Sequence, residues 1–164
     1  MTTYEPAWVV FTLDQVVPWG RSFDEYRRMF DLTVEDLGRT ILGCGDGPAC
    51  FNAEATRRGG RVVSCDPVYG FEKNQIQRRI ATTYDLGKSA GRYVAAKLPV
   101  LPFPDATFDI ALCSHFMLLY SIQPGEAFHR AAIREMCRVA SDVRIFPLLA
   151  LGGDRSPFVD NRAT

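Results

Sequence analysis

The feature that most constrains the fold is a short apolar strand that runs directly into a turn built around three glycines. The strand covers Thr40–Leu42, and the turn is Gly43-Cys-Gly-Asp-Gly-Pro48. Alternating glycines remove side chains, so the backbone of such a turn can approach a ligand closely. Pro48 suits the first turn of a helix, where its missing N–H costs little. We therefore predict a helix from Pro48 to about Arg58, with its positive N-terminal end beside the turn.

This helix is followed by a second strand and an acid. Gly59-Gly60 should end the helix, Arg61–Cys65 is the predicted strand, and Asp66 stands at its tip. An ionised carboxylate only accepts hydrogen bonds, so Asp66 could hold both hydroxyls of a ribose. The alternative is that Asp66 simply closes a turn with Pro67.

The rest of the chain alternates short apolar runs with longer stretches of helical spacing. Strands separated by helices of this length predict a parallel sheet with helices on both faces and right-handed crossovers. We expect an α/β three-layer sandwich with a mainly parallel sheet. The remaining predicted elements are a helix opened by the capping box Ser22–Glu25, a helix over Phe71–Leu86, an extended piece over Arg92–Ala95, a strand over Thr107–Cys113, a helix that includes Phe128, Ala132, Met136 and Ala140, and a strand over Val143–Phe146.

Size and charge limit the class of protein. The 164 residues fit one domain, which we expect to span residues 1–164, with a helical N-terminal segment over 1–38 and an irregular tail over 147–164. A hydrophobic content of 47% is typical of a globular protein and not of a disordered one. The 19 basic residues balance 19 acidic ones, so no overall charge favours nucleic acid or a membrane as partner.

Five cysteines stand at positions 44, 50, 65, 113 and 137. Their number is odd and no pair has CxxC spacing, which favours buried reduced thiols over a disulfide framework or a zinc site. The sequence shows no secretory signal, and its longest apolar stretch, Ile110–Ile122, is too short to span a bilayer. We expect a cytoplasmic protein that binds no metal.

Two segments together point to a known family. The turn at residues 43–47 has the pattern G-x-G-x-G, and Leu101-Pro-Phe-Pro-Asp-Ala-Thr-Phe-Asp109 leads into the apolar run Ile110–His115. This order resembles the class I S-adenosylmethionine (SAM)-dependent methyltransferases, whose fourth strand follows an LPFPDxxFD segment. The resemblance covers roughly residues 40–146 and implies a Rossmann-like fold, SAM as cofactor, and a small-molecule or protein methyl acceptor. It implies these cofactor-binding residues: Gly43, Cys44, Gly45 and Gly47 for the methionine part, Asp66 and Pro67 for the ribose and adenine, and Ser114 and His115 near the sulfonium.

Three departures from the family pattern favour an alternative function. Ile41 and Lys97 stand where the family usually has acids that help to bind SAM. Only 18 residues follow Phe146, too few for the family's C-terminal antiparallel hairpin, so we expect a shortened member or a fragment that lacks it. The alternative is a non-catalytic SAM-binding or interaction domain. Without the hairpin, Val143–Phe146 would be an exposed sheet edge through which copies of the chain could self-associate.

Three further features have two interpretations each. His115 is the candidate catalytic residue, because an imidazole at the end of a central strand could act as a general base, although a partly buried structural histidine is equally ordinary. The aromatic face of the helix after Ser22 could belong to the core or form a lid over the SAM site. A nicotinamide-dependent oxidoreductase is disfavoured, because Pro48 stands where the dinucleotide fingerprint has glycine or alanine.

Overall fold

The computed structural model describes residues 21–47, 50–70, 87, 89–119, 125–150 and 152–159. The strands are β1 (Thr40–Cys44), β2 (Arg61–Cys65), β3 (Tyr93–Val94), β4 (Phe108–Ser114) and β5 (Ala140–Phe146). They form one sheet in the order β3-β2-β1-β4-β5, and every pairing is parallel. The chain moves outwards from β1 to β2 and β3, then returns to the other side of β1 for β4. The strand order therefore reverses between β1 and β4, which is where open α/β sheets bind ligands.

The described helices are α1 (Phe23–Met29), α2 (Val34–Leu37), α3 (Phe51–Arg57) and α4 (Gly125–Val139), with a 3₁₀ turn at Pro67–Gly70. The predicted capping box of α1 is confirmed: Glu25 N–H donates to Ser22 Oγ at 3.3 Å, and Ser22 N–H donates to Glu25 Oε2 at 2.7 Å. The described part of the helix predicted from Pro48 is α3, which ends at Arg57 as expected. Pro48 itself lies outside the described residues, as does the helix predicted over Phe71–Leu86.

One boundary between a helix and a strand is predicted wrongly. Ala140 continues the apolar spacing of α4 and has a high helix propensity, so the sequence favours a helical position. In the structure it opens β5 and pairs with Phe108, with its side chain buried. Tertiary pairing with β4 overrides the local preference. The extended piece predicted over Arg92–Ala95 is confirmed, but only Tyr93–Val94 are strand.

Helices cover both faces of the sheet, which confirms the predicted three-layer α/β sandwich. Successive residues of a strand point to opposite faces, so neighbours such as Ile41 and Leu42 enter different cores. The core on the side of α1 and α3 includes Phe23, Tyr26, Phe30, Ile41, Phe51, Val62, Ile110 and Leu112. The core on the side of α4 includes Leu42, Cys44, Cys65, Ala111, Cys113, Ala132, Met136 and Val139.

The cysteines follow the prediction in part. All five are free, and Cys44, Cys65 and Cys113 are buried in the core on the side of α4. Cys50 and Cys137 are exposed instead, because Cys50 precedes α3 and Cys137 lies on the solvent side of α4. In the part of the chain that the structure describes, no helix is long and apolar enough to cross a bilayer.

Arg144 on β5 connects the N-terminal helices to the sheet. Its guanidinium donates to the Phe30 carbonyl at 2.9 Å and to both carboxyl oxygens of Asp36 at 3.2 Å. Asp36 is buried, so losing this partner would leave its carboxylate poorly paired.

We therefore expect Arg144→Met to lower the free energy of unfolding, measured in urea, by about 1–3 kcal/mol. The control is Arg130→Met, which removes an exposed pair with Glu126 and should cost less than about 0.5 kcal/mol. Equal losses from the two variants would contradict this role for Arg144.

Candidate functional site

The carboxyl ends of β1, β2 and β4 meet at one edge of the sheet. In the strand register, Cys44 pairs with Cys65 on one side and with Cys113 on the other. The residues that follow these cysteines therefore stand side by side: Gly45, Asp66 and Ser114. The structure thus brings predicted site residues from three separate segments of the chain to the point where the strand order reverses.

The glycine turn needs glycine at two positions for identifiable reasons. Gly45 and Gly47 have φ of +62° and +50°, the left-handed region that other residues rarely adopt. A Cβ on Gly45 would lie 3.1 Å from the ring of Phe116, whereas one on Gly47 would meet no described heavy atom within 4 Å. The turn is held to the sheet by a 2.9 Å hydrogen bond from Gly45 N–H to the Cys65 carbonyl.

Cys44 takes part in the site through its backbone and not through its thiol. Its side chain is fully buried in the core on the side of α4. A hydrogen bond with the Cys65 thiol and burial raise the pKa of Cys44 well above its ordinary value. The thiol is therefore protonated and unreactive at neutral pH, as expected for a small residue within a turn.

Asp66 connects the glycine turn to the end of β2 through hydrogen bonds. Its Oδ2 accepts from Gly47 N–H at 3.0 Å, and its Oδ1 accepts from Val68 N–H at 2.8 Å. Burial raises the pKa of Asp66, while the two N–H groups oppose that rise. Each oxygen keeps a second lone pair, so these contacts leave room for ribose hydroxyls. Pro67 opens the exposed 3₁₀ turn that follows.

A second acid, Asp46, was not singled out from the sequence. Its carboxyl is 8% exposed and accepts from Ser64 Oγ at 2.7 Å and from the Tyr69 hydroxyl at 3.1 Å. The carboxyl lies against the backbone of Gly43: a Cβ added to Gly43 would be 2.2 Å from Asp46 Oδ2. Burial raises the pKa of Asp46 to about 7, and the charge of Asp66 adds to this rise. The presence of an acid within a glycine turn is the sequence signal that could have indicated Asp46.

Ser114 and His115 lie where β4 ends. Ser114 is buried, and its Oγ lies 2.9 Å from Nδ1 of His115. His115 has φ +51°, an uncommon conformation for a residue with a side chain, and its N–H donates to the Phe146 carbonyl at 2.6 Å. Burial, with the nearby charge of Arg21, lowers the pKa of His115. The half-buried imidazole is therefore neutral near pH 7 and hydrogen-bonded through one nitrogen.

The aromatic face of α1 belongs to the core and also reaches the site. The ring of Tyr26 stacks on Phe51 of α3 with centroids 4.5 Å apart, and Phe23 stacks on the same ring at 5.8 Å. Burial raises the pKa of Tyr26 well above its ordinary value, the charge of Asp46 raises it further, and Ser114 opposes this. The hydroxyl of Tyr26 therefore lies near Ser114, a position that spacing along the chain could not reveal.

The parallel sheet, with its strand order reversed at β1 and helices on both faces, defines a doubly wound α/β domain. A sequence profile of the family described as "Methyltransferase domain" matches residues 41–142, more than half of the chain. The chain belongs to this family. The match confirms the predicted class, a SAM-dependent methyltransferase, and SAM as the cofactor of that class.

Individual relatives differ in how much of their length is shared. The chain is 29% identical over 187 aligned residues to an uncharacterized protein of Methanocaldococcus jannaschii, covering 90% of this chain and 85% of that protein. It is 30% identical over 104 residues to a demethylmenaquinone methyltransferase of Thermobifida fusca, covering 62% of this chain but only 42% of the enzyme. The 1,6-didemethyltoxoflavin-N1-methyltransferase of Burkholderia thailandensis, solved with S-adenosylhomocysteine, gives a TM-score of 0.45 at 19% identity, over 65% of this chain and 43% of that one.

Proposed function

We propose that this chain binds SAM at the carboxyl ends of β1, β2 and β4 and transfers its methyl group to an acceptor at the end of β4. The observation that carries the proposal is the alignment of Gly45, Asp66 and Ser114 at one edge of the sheet, where the strand order reverses. When bound, SAM supplies a methyl group on an activated sulfonium, so the protein has mainly to position the reactants.

The residues present fit SAM in the hydrogen-bonding groups that they offer. The backbone of Gly43, Cys44, Gly45 and Gly47 would hold the methionine part, and Pro67 would lie beside the adenine. Asp66 would accept from the ribose hydroxyls through the lone pairs that Gly47 and Val68 leave unused. Ser114 and His115 would line the space near the sulfonium.

His115 is the group we propose as general base. If Nδ1–H donates to Ser114 Oγ, Nε2 carries the lone pair and can accept a proton from the acceptor. The lowered pKa of His115 keeps the imidazole neutral and ready to accept at neutral pH. The hydrogen bond to Ser114 and the bond from the His115 N–H to Phe146 would fix the direction of the ring.

Replacing His115 by glutamine should lower kcat by about 10²–10⁴-fold, the usual contribution of a general base, a much larger loss than any weakening of SAM binding. In the wild type, the acid limb of the pH profile should lie below 6.5, the ordinary pKa of histidine. The control is His129→Gln: this imidazole bonds the Gly125 and Met117 carbonyls within the core, so its loss should lower stability but not turnover. Unchanged kcat for His115→Gln would remove the general-base role.

The acceptor is proposed to be a small molecule or a protein. The net charge of zero gives no attraction to nucleic acid, and the Thermobifida fusca relative is named for a quinone precursor. Incubation with SAM that carries a labelled methyl group, together with phenols, quinols, heteroaromatic compounds and protein extract, should label an acceptor and release S-adenosylhomocysteine. SAM binding without any label transfer would favour the non-catalytic alternative.

Two further parts of the proposal concern self-association and the location of the protein in the cell. β5 is one of the two edge strands of the described sheet, and Phe146 at its end is 36% exposed, which supports self-association of two copies through this edge. We also propose that the protein acts in the cytoplasm.

A further inference from the structure

A chain of buried polar side chains ends at the glycine turn. Arg92 Nη1 donates to Asn52 Oδ1 at 2.8 Å, which fixes the orientation of the Asn52 amide, because arginine can only donate. Asn52 Nδ2 therefore donates to Ser64 Oγ at 3.0 Å. The hydrogen of Ser64 is then left for Asp46 Oδ2, which lies 2.7 Å away. Oδ2 of Asp46 is thus an acceptor, and a proton on this carboxyl is carried by Oδ1.

The next member of the chain, Tyr69, has one hydrogen for two neighbouring oxygens. Its buried hydroxyl lies 3.1 Å from Asp46 Oδ1 and also contacts the carbonyl oxygen of Gly47. A hydroxyl donates one hydrogen bond, whereas an ionised carboxylate and a carbonyl can only accept. Both contacts are therefore hydrogen bonds only if Asp46 is protonated. Oδ1–H then donates to Tyr69, and the Tyr69 hydroxyl donates to Gly47.

We propose that Tyr69 is the positioning residue of the glycine turn and that it holds the Gly47 carbonyl only while Asp46 carries a proton. When Asp46 ionises, its carboxylate is the stronger of the two acceptors, so the Tyr69 hydroxyl turns to Oδ1 and releases Gly47. Gly47 donates its N–H to Asp66 in either case. Where it concerns cofactor binding, this inference rests on the proposed function: the turn that would hold the methionine part of SAM is fixed below neutral pH and loosened above it.

The surroundings of Asp46 favour its neutral form. Burial raises the pKa of Asp46 to about 7, and the charge of Asp66 adds to this rise. None of the described salt bridges involves either carboxyl. The other titratable groups near Asp46 are Tyr69 on the 3₁₀ turn, Tyr26 on α1, Cys44 on β1 and Cys113 on β4.

These four groups stay uncharged at neutral pH. Burial raises the pKa of both tyrosines and of Cys113, and a hydrogen bond with the Cys65 thiol, followed by burial, raises that of Cys44. Asp46 and Asp66 are therefore the acids that can titrate at the turn. Replacing Asp46 alone distinguishes them.

The test follows the Gly47 carbonyl in the full chain without cofactor. Its ¹³C chemical shift responds to hydrogen bonding, and it is measured by NMR between about pH 5.5 and 8.5, together with the carboxyl carbon of Asp46. In wild type, both signals should change with one midpoint near pH 7. Asp46→Asn keeps a donor beside Tyr69 at every pH, so this transition should be absent from its Gly47 signal. Tyr69→Phe should abolish the Gly47 change while Asp46 still titrates.

A matched control and two outcomes decide the role of Tyr69. Tyr93→Phe removes a hydroxyl from the ring that packs against Tyr69 at 5.1 Å, and it should keep the wild-type transition. A Gly47 signal that titrates equally in wild type and Asp46→Asn would overturn the inference, because the change would then belong to Asp66. A wild-type Gly47 signal that does not change with pH would overturn it as well.

Calorimetric titration with S-adenosylhomocysteine connects this device to the proposed function. The Kd of wild type should be about threefold to tenfold lower at pH 6 than at pH 8, the effect of about one hydrogen bond, and Asp46→Asn should lose this pH dependence. Equal Kd values for wild type at the two pH values would overturn the part of the inference that concerns the cofactor. If S-adenosylhomocysteine binds at neither pH, the proposed function fails, and the NMR transition still decides whether Tyr69 positions the turn.

Discussion

Asp66→Ala should weaken SAM binding by about 1–3 kcal/mol, or about tenfold to a hundredfold, and also destabilise the protein without cofactor. The two losses have different sources. The affinity loss comes from the missing acceptor for the ribose hydroxyls. The stability loss comes from the N–H groups of Gly47 and Val68, which would lose the carboxyl oxygens at 3.0 and 2.8 Å. Calorimetric titration measures the first quantity and urea unfolding the second.

A matched control separates these two effects. Asp109 also accepts from a neighbouring segment, namely from Thr40 N–H at 2.8 Å and Thr40 Oγ1 at 2.6 Å, but it does not belong to the site. Asp109→Ala should lower stability and leave the Kd of SAM at the wild-type value. If Asp66→Ala also lowers stability without changing the Kd of SAM, Asp66 only holds the turn in place, and the ribose assignment is wrong.

The second large effect is that of replacing Asp46. This change should raise the free energy of unfolding, whereas replacing Asp66 should lower it. Its pKa in the folded protein is about 7, against an ordinary value of 3.8. The folded state therefore holds this proton more tightly than the unfolded state does. The contribution of Asp46 to stability must then fall as the pH rises from about 4 to about 7. A tenfold change in proton affinity is worth about 1.4 kcal/mol, so the full cost above pH 7 is at most about 4 kcal/mol.

Asp46→Asn should therefore make the cofactor-free protein about 1–3 kcal/mol more stable than wild type at pH 8, and give little or no gain at pH 5. Part of the relieved cost is offset because an amide replaces one acceptor oxygen with a donor. Urea unfolding of both proteins at the two pH values measures this difference. Comparing the variant with wild type cancels the effect of burial on Asp66, and the difference that remains includes the repulsion between the two acids. If the free energies of unfolding of the two proteins change equally between pH 5 and pH 8, the raised pKa of the Asp46 carboxyl is contradicted.

Such a result would mean that the chain keeps a destabilising acid at its cofactor site. Residues that lower stability without a structural benefit often serve function, because the same group that strains the free protein can stabilise the complex.

Much of the fold and of the site could be predicted because their signals are local. The strand at Thr40–Leu42 and the glycine turn after it are adjacent in sequence, and parallel strands bring their carboxyl ends together once the order of elements is known. Asp66 could be placed at this edge on that basis, and the family resemblance added Ser114 and His115. Capping at Ser22 is equally local, since it depends on residues one turn apart.

The remaining features depend on contacts between distant segments. Ala140 lies in β5 because it pairs with Phe108. The spacing of apolar residues along the chain cannot predict this pairing. The position of Asp46 depends on Ser64 and Tyr69, which reach it from β2 and the 3₁₀ turn. Tyr26 has the spacing of an ordinary core residue, and only the packing of α1 against α3 brings its hydroxyl to the end of β4. Tertiary packing and not sequence pattern determines these roles.

The central claim is that the edge formed by Gly45, Asp66 and Ser114 binds SAM. Calorimetric titration of the full chain with SAM, S-adenosylhomocysteine and NAD tests it most directly. We expect both SAM and S-adenosylhomocysteine to bind at one site per chain, and NAD to give no saturable heat. Binding of NAD in the absence of binding by either SAM or S-adenosylhomocysteine would contradict the account.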